Sequence, residues 1–169
     1  MRSLLGQVQE RTSVPLSSES GTPAGALTSK EIPYDYVARF TLTGVKGNRV
    51  QDVVNISVDG AFVAVTVGYS FIPSKSLPSN NRAIDFKYSI VDSSTGRELQ
   101  NRPIHNIAGL GEPNGERPFR PLAKPMLFMP RSTIRLEVEE VSEDDLFIGA
   151  ELYIVFHGYK MLGYGTGQP

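Results

Sequence analysis

The sequence predicts an all-β fold: a single antiparallel β-sandwich, jelly-roll-like, with an extended N-terminal arm. Three observations carry that expectation. From Tyr34 onward apolar residues recur with a period of two, the spacing of half-buried strands. Clusters of Gly, Asn, Asp and Ser punctuate the runs, as turns between short strands do. Past residue 33 no segment as long as an ordinary helix keeps a helical period. The chain has 169 residues, one domain's worth, and a domain of that size hides roughly 68–70% of its unfolded surface without disulfide staples.

Residues 1–33 stand apart. Leu4, Leu5 and Val8 make one short apolar stripe with i, i+4 spacing, either a helical turn or a fraying terminus. From Thr12 to Pro33 the residues are mostly Ser, Thr, Gly, Pro and Ala, with no apolar period. Such a segment buries too little surface to offset its ordering entropy alone, and orders on docking. It reads as an arm.

The strands follow in order across residues 34–162. Ala38, Phe40 and Leu42 alternate with Val37, Arg39 and Thr41; Val54, Ile56 and Val58 alternate with Asn55 and Ser57. Residues 61–72, AFVAVTVGYSFI, are β-branched and aromatic on both faces, as in a central strand. Ile84, Phe86, Tyr88 and Ile90 form the next run, then Ile134, Leu136 and Val138, then Leu152, Ile154 and Phe156. Phe128, Ile134, Leu136, Leu152, Ile154 and Phe156 are predicted to share one core face. Turns are predicted at Gly47-Asn48, Asp59-Gly60 and Ser94-Thr95-Gly96, with a hairpin turn at Glu143-Asp144-Asp145. Residues 100–131 interrupt the pattern with six of the twelve prolines. Proline cannot donate to a central ladder, so this stretch reads either as a long surface loop with one short strand at Met126–Met129 or as an extended contact loop. Residues 163–169 read as a Gly-rich tail.

The chemistry is sparse. The chain has no cysteine and two histidines, His105 and His157, which removes disulfides, thiol nucleophiles and zinc–thiolate sites. No nucleotide-binding, zinc-protease, EF-hand or serine-hydrolase motif is present. The expectation is no enzyme, with no catalytic residue, cofactor or metal. The acidic run Glu137, Glu139, Glu140, Glu143, Asp144 and Asp145 offers oxygen ligands of the kind calcium takes, but reads as solvated charge. A net charge of −1, from 17 basic and 18 acidic residues, lacks the basic footprint of a general nucleic-acid binder. No apolar run reaches the length of a membrane span. Met1–Gln9 has no continuous apolar stretch or cleavage site of a secretion signal, so the expected address is the cytoplasm of the producing cell or a particle assembled there.

Charge order is more telling. Arg117, Arg120, Lys124 and Arg131 form a basic block, and Glu143, Asp144 and Asp145 sit in the acidic block that follows. Opposite blocks on one chain suit head-to-tail contact between copies; neutralisation within the domain, or solvation, is the alternative. With Leu4, Leu5 and Val8, these seven residues are the candidate interface.

The carboxyl-terminal third carries a resemblance. It reads Pro121-Leu122, Pro125-Met126-Leu127-Phe128-Met129-Pro130, then Ile134-x-Leu136-x-Val138, Ile148, and Leu152-x-Ile154-x-Phe156-His157-Gly158-Tyr159-Lys160. It resembles small β-sandwich virion structural proteins of tailed bacteriophages, of the head-decoration, collar or tail-accessory kind. In these a proline-flanked aromatic run precedes two paired strands. The resemblance implies a non-enzymatic virion component, assembled in the host cytoplasm. Its implied partners are other copies of itself and other virion proteins, such as the major capsid or head–tail junction proteins, with no membrane and no specific nucleic acid. A second reading is a carbohydrate- or surface-binding β-sandwich module, with Tyr69, Tyr153, Tyr159 and Tyr164 as the aromatic candidates; the missing Trp and secretion signal count against it.

Overall fold

The computed structural model describes residues 30–74, 84–113, 118–143 and 147–163. The strands are β1 (Lys30–Thr41), β2 (Arg49–Asn55), β3 (Gly60–Ile72), β4 (Phe86–Asp92), β5 (Arg97–Glu98), β6 (Ile104–His105), β7 (Phe119–Phe128), β8 (Thr133–Glu140) and β9 (Glu151–Leu162), with one helical turn, α1 (Asn106–Gly109). They form two antiparallel sheets. The first has the order β1-β9-β3-β7 and the second β2-β8-β4-β5, with β6 beside β4. The chain therefore crosses between sheets at nearly every connection. That is the strand order of a jelly roll, and the fold is the all-β sandwich that the period of two predicts.

The crossings correct several local expectations. Of the predicted turns, Ser94-Thr95-Gly96 closes a local hairpin, with Asp92 opposite Arg97. Gly47-Asn48 and Asp59-Gly60 carry the chain from one sheet to the other. The connection from β8 to β9 also changes sheet, because β8 pairs with β2 and β4 while β9 pairs with β1 and β3; of the hairpin turn predicted there, Asp144 and Asp145 lie outside the described residues. The two strands expected to pair with each other instead face each other across the core. A turn's residue types report that the chain bends, not which sheet it enters next.

Residues 100–131 are also more ordered than a loop. They hold β6, α1 and the ten-residue β7. β7 is the outer strand of the first sheet, where one row of donors faces away from the neighbour and proline is tolerated. Pro121 lies opposite Thr66, and residues 122–125 bow out between the paired Met126 and Pro121. The arm boundary shifts as well: β1 begins at Lys30, opposite Leu162, so residues 30–33 belong to the sandwich. Pro33 too occupies an edge strand, where a missing donor is tolerated.

β3 and β9 set the register of the first sheet. Ala64 lies opposite Gly158 and Thr66 opposite His157, leaving Val65 as an unpaired bulge. The bulge switches the inward parity: Phe62 and Ala64 are buried before it, Val67 and Tyr69 after it. At Gly158 a Cβ would overlap the Val63 carbonyl, so the close approach needs glycine.

Between the sheets lies one core. Phe62, Phe128 and Phe156 follow one another at ring-centroid separations of 6.5 and 6.3 Å. All six predicted core residues are buried. Two polar side chains tie the ends. Asn106 is fully buried and donates to the Tyr69 hydroxyl (3.1 Å) and the Ile84 carbonyl (2.7 Å), while accepting from the Phe86 amide (3.3 Å). Glu140, at the end of β8, accepts from the Thr43 and Gly44 amides (2.9 and 2.7 Å), the Thr43 hydroxyl (2.8 Å) and Asn48 Nδ2 (3.0 Å). One carboxylate thus satisfies the β1–β2 crossing and fastens it to the second sheet.

Phe156→Ala is expected to cost about 3–5 kcal/mol, the range for a fully buried aromatic, in urea unfolding. Gly158→Ala is expected to cost about 1–3 kcal/mol through forced backbone displacement. Gly47→Ala is the control: nothing lies near its Cβ position, and only its positive φ of 82° is strained. A smaller loss for Gly158→Ala than for Gly47→Ala contradicts the close approach.

Candidate functional site

The outward residues of the two sheets differ in kind. On the second sheet they form a charged ladder. Arg49 Nη2 lies 2.8 Å from Glu139 Oε2, Arg49 Nη1 lies 3.5 Å from Glu137 Oε1, and Lys87 Nζ lies 3.3 Å from Glu139 Oε1. Burial pushes the Glu139 carboxyl up, but Lys87 and Arg49 outweigh it, and its pKa is lowered.

On the first sheet's outer face charged and uncharged rows alternate, with Glu31, Asp35 and Arg39 on β1 and Glu151 and His157 on β9. The register builds complete cross-strand rows over β1, β9, β3 and β7. One is Val37-Val155-Gly68-Phe119 and another is Pro33-Tyr159-Val63-Leu127. Neither row carries a charge. Val37, Val65, Ile72, Phe119 and Leu127 are between 37% and 53% exposed. Phe119 lies over Gly68, whose Cβ position is 2.8 Å from Phe119 Cδ1, and its ring meets that of His157 edge-on at 4.8 Å. The face's charged groups gather toward β1: Asp35 binds His157 Nδ1 at 3.0 Å, and Arg39 donates to Glu151, which also accepts from the Tyr153 hydroxyl. The hydrogen bonds from Tyr153 and then Arg39 lower the Glu151 carboxyl's pKa.

Asp35, His157 and Thr66 share one row, an arrangement with the residue types of an acyl-transfer triad. Its geometry differs. Among the described residues no hydrogen bond joins Thr66 to the imidazole, and the row lies on an open sheet face, without a cleft that brings nucleophile and oxyanion donors together. His105 sits in β6 with Nε2 3.9 Å from Asp85.

At the sheet's far end Lys160 is only 4% exposed. Its ammonium is 3.9 Å from the centroid of the Tyr34 ring and 3.3 Å from Asp59 Oδ1. Burial works against the charge, but Asp59, Tyr36 and Tyr34 outweigh it and raise the pKa. A cavity of about 160 Å³ opens between β7 and β4, lined by Val67, Ile90, Leu122 and Phe156, with Tyr88, Gln100 and Arg120 as polar groups. Burial pushes the Tyr88 hydroxyl up to about 12.

The candidate interface residues are dispersed. Arg120 and Lys124 lie exposed on β7, Arg131 lies exposed in the β7–β8 turn, and Glu143 is exposed beyond the end of β8. The eight residues of β8, about 26 Å of strand, hold Arg131 and Glu143 at opposite ends of the sandwich. Leu4, Leu5, Val8, Arg117, Asp144 and Asp145 lie outside the described residues. Part of the acidic run serves the fold: Glu137 and Glu139 pair with Arg49 and Lys87, and Glu140 is buried. Among the described residues no group of three His, Cys, Asp or Glu is placed to hold a metal ion. Of the tyrosines considered for sugar binding, Tyr69 is in the core and bonded to Asn106. Tyr153 and Tyr159 face outward on β9, and Tyr164 lies outside the described residues. Sequence reading missed the uncharged rows. Their signal is the apolar content of residues 61–72 on the face opposite Phe62, visible as Ala61, Val63 and Val65.

The lowered Glu139 pKa predicts a pH dependence. A carboxyl whose folded pKa lies below its unfolded value of about 4.3 stabilises fully at neutral pH and loses that contribution as pH falls through the folded value. Glu139→Gln is expected to lose about 0.2–1 kcal/mol at pH 7. At pH 2.5 its urea midpoint should converge with the parent's. An equal gap at both pH values contradicts the ion-pair account.

No family model and no curated protein matches the chain. Solved structures do align with it. A capsid asymmetric unit of cyanophage Pam1 aligns at 15% identity and a TM-score of 0.44, over 93% of this chain and 97% of that one. A Sulfurospirillum deleyianum crystal structure aligns at 8% identity and 0.40, over 75% and 99%. The VP2 subviral particle of infectious bursal disease virus aligns at 11% identity and 0.32, over 92% of this chain and 43% of that one.

Proposed function

We propose that this chain is a non-enzymatic structural subunit of a bacteriophage virion. It binds neighbouring copies and other virion proteins to stabilise the capsid shell or the head–tail junction, as a decoration, cement or collar protein. The observation that carries the reading is the contrast between the outer faces. The second sheet presents a ladder of paired charges; the first presents uncharged rows that run the full width of the sheet. Val37, Phe119 and Leu127 leave apolar surface exposed on those rows, and exposed apolar surface is a mark of interaction sites. The jelly-roll order is also a scaffold of viral capsid and lectin domains, although function rests on the site rather than the fold. The lectin alternative loses Tyr69 to the core.

The basic and acidic residues add a directional element. Arg131 and Glu143 at opposite ends suit a head-to-tail contact in which Arg117, Arg120, Lys124 and Arg131 of one copy meet Glu143, Asp144 and Asp145 of the next.

Two measurements test this reading. Peptides of the chain should appear in density-purified phage particles of the source, and their absence overturns the virion role. Sedimentation of the purified 18.5 kDa chain should show concentration-dependent association. The association should weaken between 0.1 and 1 M salt, as the screening length drops from ~10 to ~3 Å. Changing Glu143, Asp144 and Asp145 to Lys should weaken it, and reversing the four basic residues as well should partly restore it. Normal association of the acidic-block variant at low salt removes the charge blocks from the contact.

A further inference from the structure

We propose that the cavity between β7 and β4 binds a small monocarboxylate whose apolar body is about the size of one benzene ring, with Arg120 receiving the carboxylate. This binding site goes beyond the assembly reading above and does not depend on it.

The register of β7 puts an arginine on the core side. Phe128 lies opposite Phe62, Met126 opposite Ala64 and Arg120 opposite Val67. Phe62, Ala64 and Val67 are all buried, and residues paired across two strands point to the same side of the sheet. Phe128, Met126 and Arg120 therefore share the inward side of β7. Between Pro121 and Met126 the strand leaves its ladder, and about 160 Å³ opens between this stretch and β4, with Val67, Ile90, Leu122 and Phe156 among its walls. A water held in such a space needs two to four polar partners, and those four side chains offer none. An engineered apolar cavity of about 150 Å³ holds benzene, which sets the size of the body that fits.

Three polar groups share the same cavity. Arg120 is an exposed residue, so its guanidinium keeps contact with water while its stem lies beside Val67. Among the described residues no carboxylate forms an ion pair with it. Its charge is close enough to act on the Tyr88 hydroxyl. Gln100 Oε1 accepts from the Ile90 amide at 2.8 Å, and the same side chain bonds to the Tyr88 hydroxyl. Gly109 leaves room for that hydroxyl, because a Cβ there would overlap it. Tyr88 and Gln100 are thus fixed by the fold, and Arg120 stands next to them.

These groups select the charge of the ligand. Arg120 is the one charged side chain among the described lining residues. Its guanidinium presents a planar fork of donors that one carboxylate matches. A cation would be repelled. A phosphate would bring a second negative charge for which the described lining holds no second cation. A neutral apolar molecule would cover the mouth of the cavity and strip water from Arg120 without replacing it. A ring placed against Ile90 and Phe156, with its carboxylate turned to Arg120, satisfies both halves of the site.

Benzoate is the probe, titrated into the full-length ¹⁵N-labelled chain and followed by amide NMR shifts. It is expected to bind saturably and to move the Ile90 and Arg120 amides and the Gln100 side-chain amide. Acetate has the charge without the ring, and benzyl alcohol the ring without the charge; each is expected to bind at least about tenfold more weakly. Arg120→Met keeps an apolar stem on an edge strand and is expected to weaken benzoate at least about tenfold while leaving benzyl alcohol within about twofold. Leu122→Trp, which fills the cavity from the bowed stretch, is expected to abolish the binding of both, with a urea midpoint that shows the variant folded. No saturable benzoate binding overturns the proposal, as does equal benzoate affinity in the parent and Arg120→Met. Shifts confined to the Arg49, Lys87 and Arg135 amides overturn it in favour of general attraction to surface cations. Benzoate affinity that falls as protein concentration rises overturns it in favour of a neighbouring copy's carboxylate on Arg120. Loss of the virion role or of self-association leaves these benzoate results unchanged, so the two readings fail separately.

Discussion

The pairing of β9 between β1 and β3 is the contact on which the structure depends. β9 is the last strand in the sequence and an inner strand of its sheet, so the first sheet is incomplete until the chain's end arrives. Its two ladders run the whole length of the strand, from Glu151 to Leu162. The Val65 bulge and Gly158 make the ladders compatible with one core. Without the bulge, the residues after Ala64 would present Thr66 and Gly68 inward, and Tyr69 would lose its place beside Asn106 and Phe86. Such long-range pairing carries a loop-closure cost before it returns any contact, which places the fold among the slow-folding topologies.

The asymmetry of the outer faces follows from how each sheet meets solvent. On the second sheet Glu137, Glu139, Arg49 and Lys87 neutralise one another, and each exposed pair contributes little to stability. Their charges keep that face hydrated. On the first sheet Val155 and Phe119 occupy the corresponding positions, and Phe119 leaves much of its ring in water.

Much of this was legible in the sequence, for reasons that individual residues make plain. Ile134, Leu136 and Val138 alternate because one face of β8 is buried, and Leu152, Ile154 and Phe156 do so for the same reason in β9. A period of two reports burial and says nothing about partners, so these runs could be assigned to strands but not to sheets. β7 was obscured by Pro121 and Pro125, whose lost donors matter only if the strand is internal. Glu140 and Lys160 were unreadable as buried groups, since their partners at Thr43, Gly44, Asn48, Asp59 and Tyr34 are remote in sequence. The candidate site was legible only in part. The charge blocks can be counted along the chain, whereas the row Val37-Val155-Gly68-Phe119 exists only once four strands are in register.

Both margins of the first sheet carry groups that hinder a further strand. On β7, Pro121 and Pro125 bring no amide hydrogen, and the bowed residues 122–125 bend the strand away from a straight template. On β1, the Arg39 amide is already taken by Asp52 Oδ2 at 2.8 Å, and Pro33 contributes none. Lateral growth into a continuous ribbon, the geometry of amyloid, is therefore obstructed at each margin. At high local concentration the hydrogen-bonded framework of each molecule stays its own.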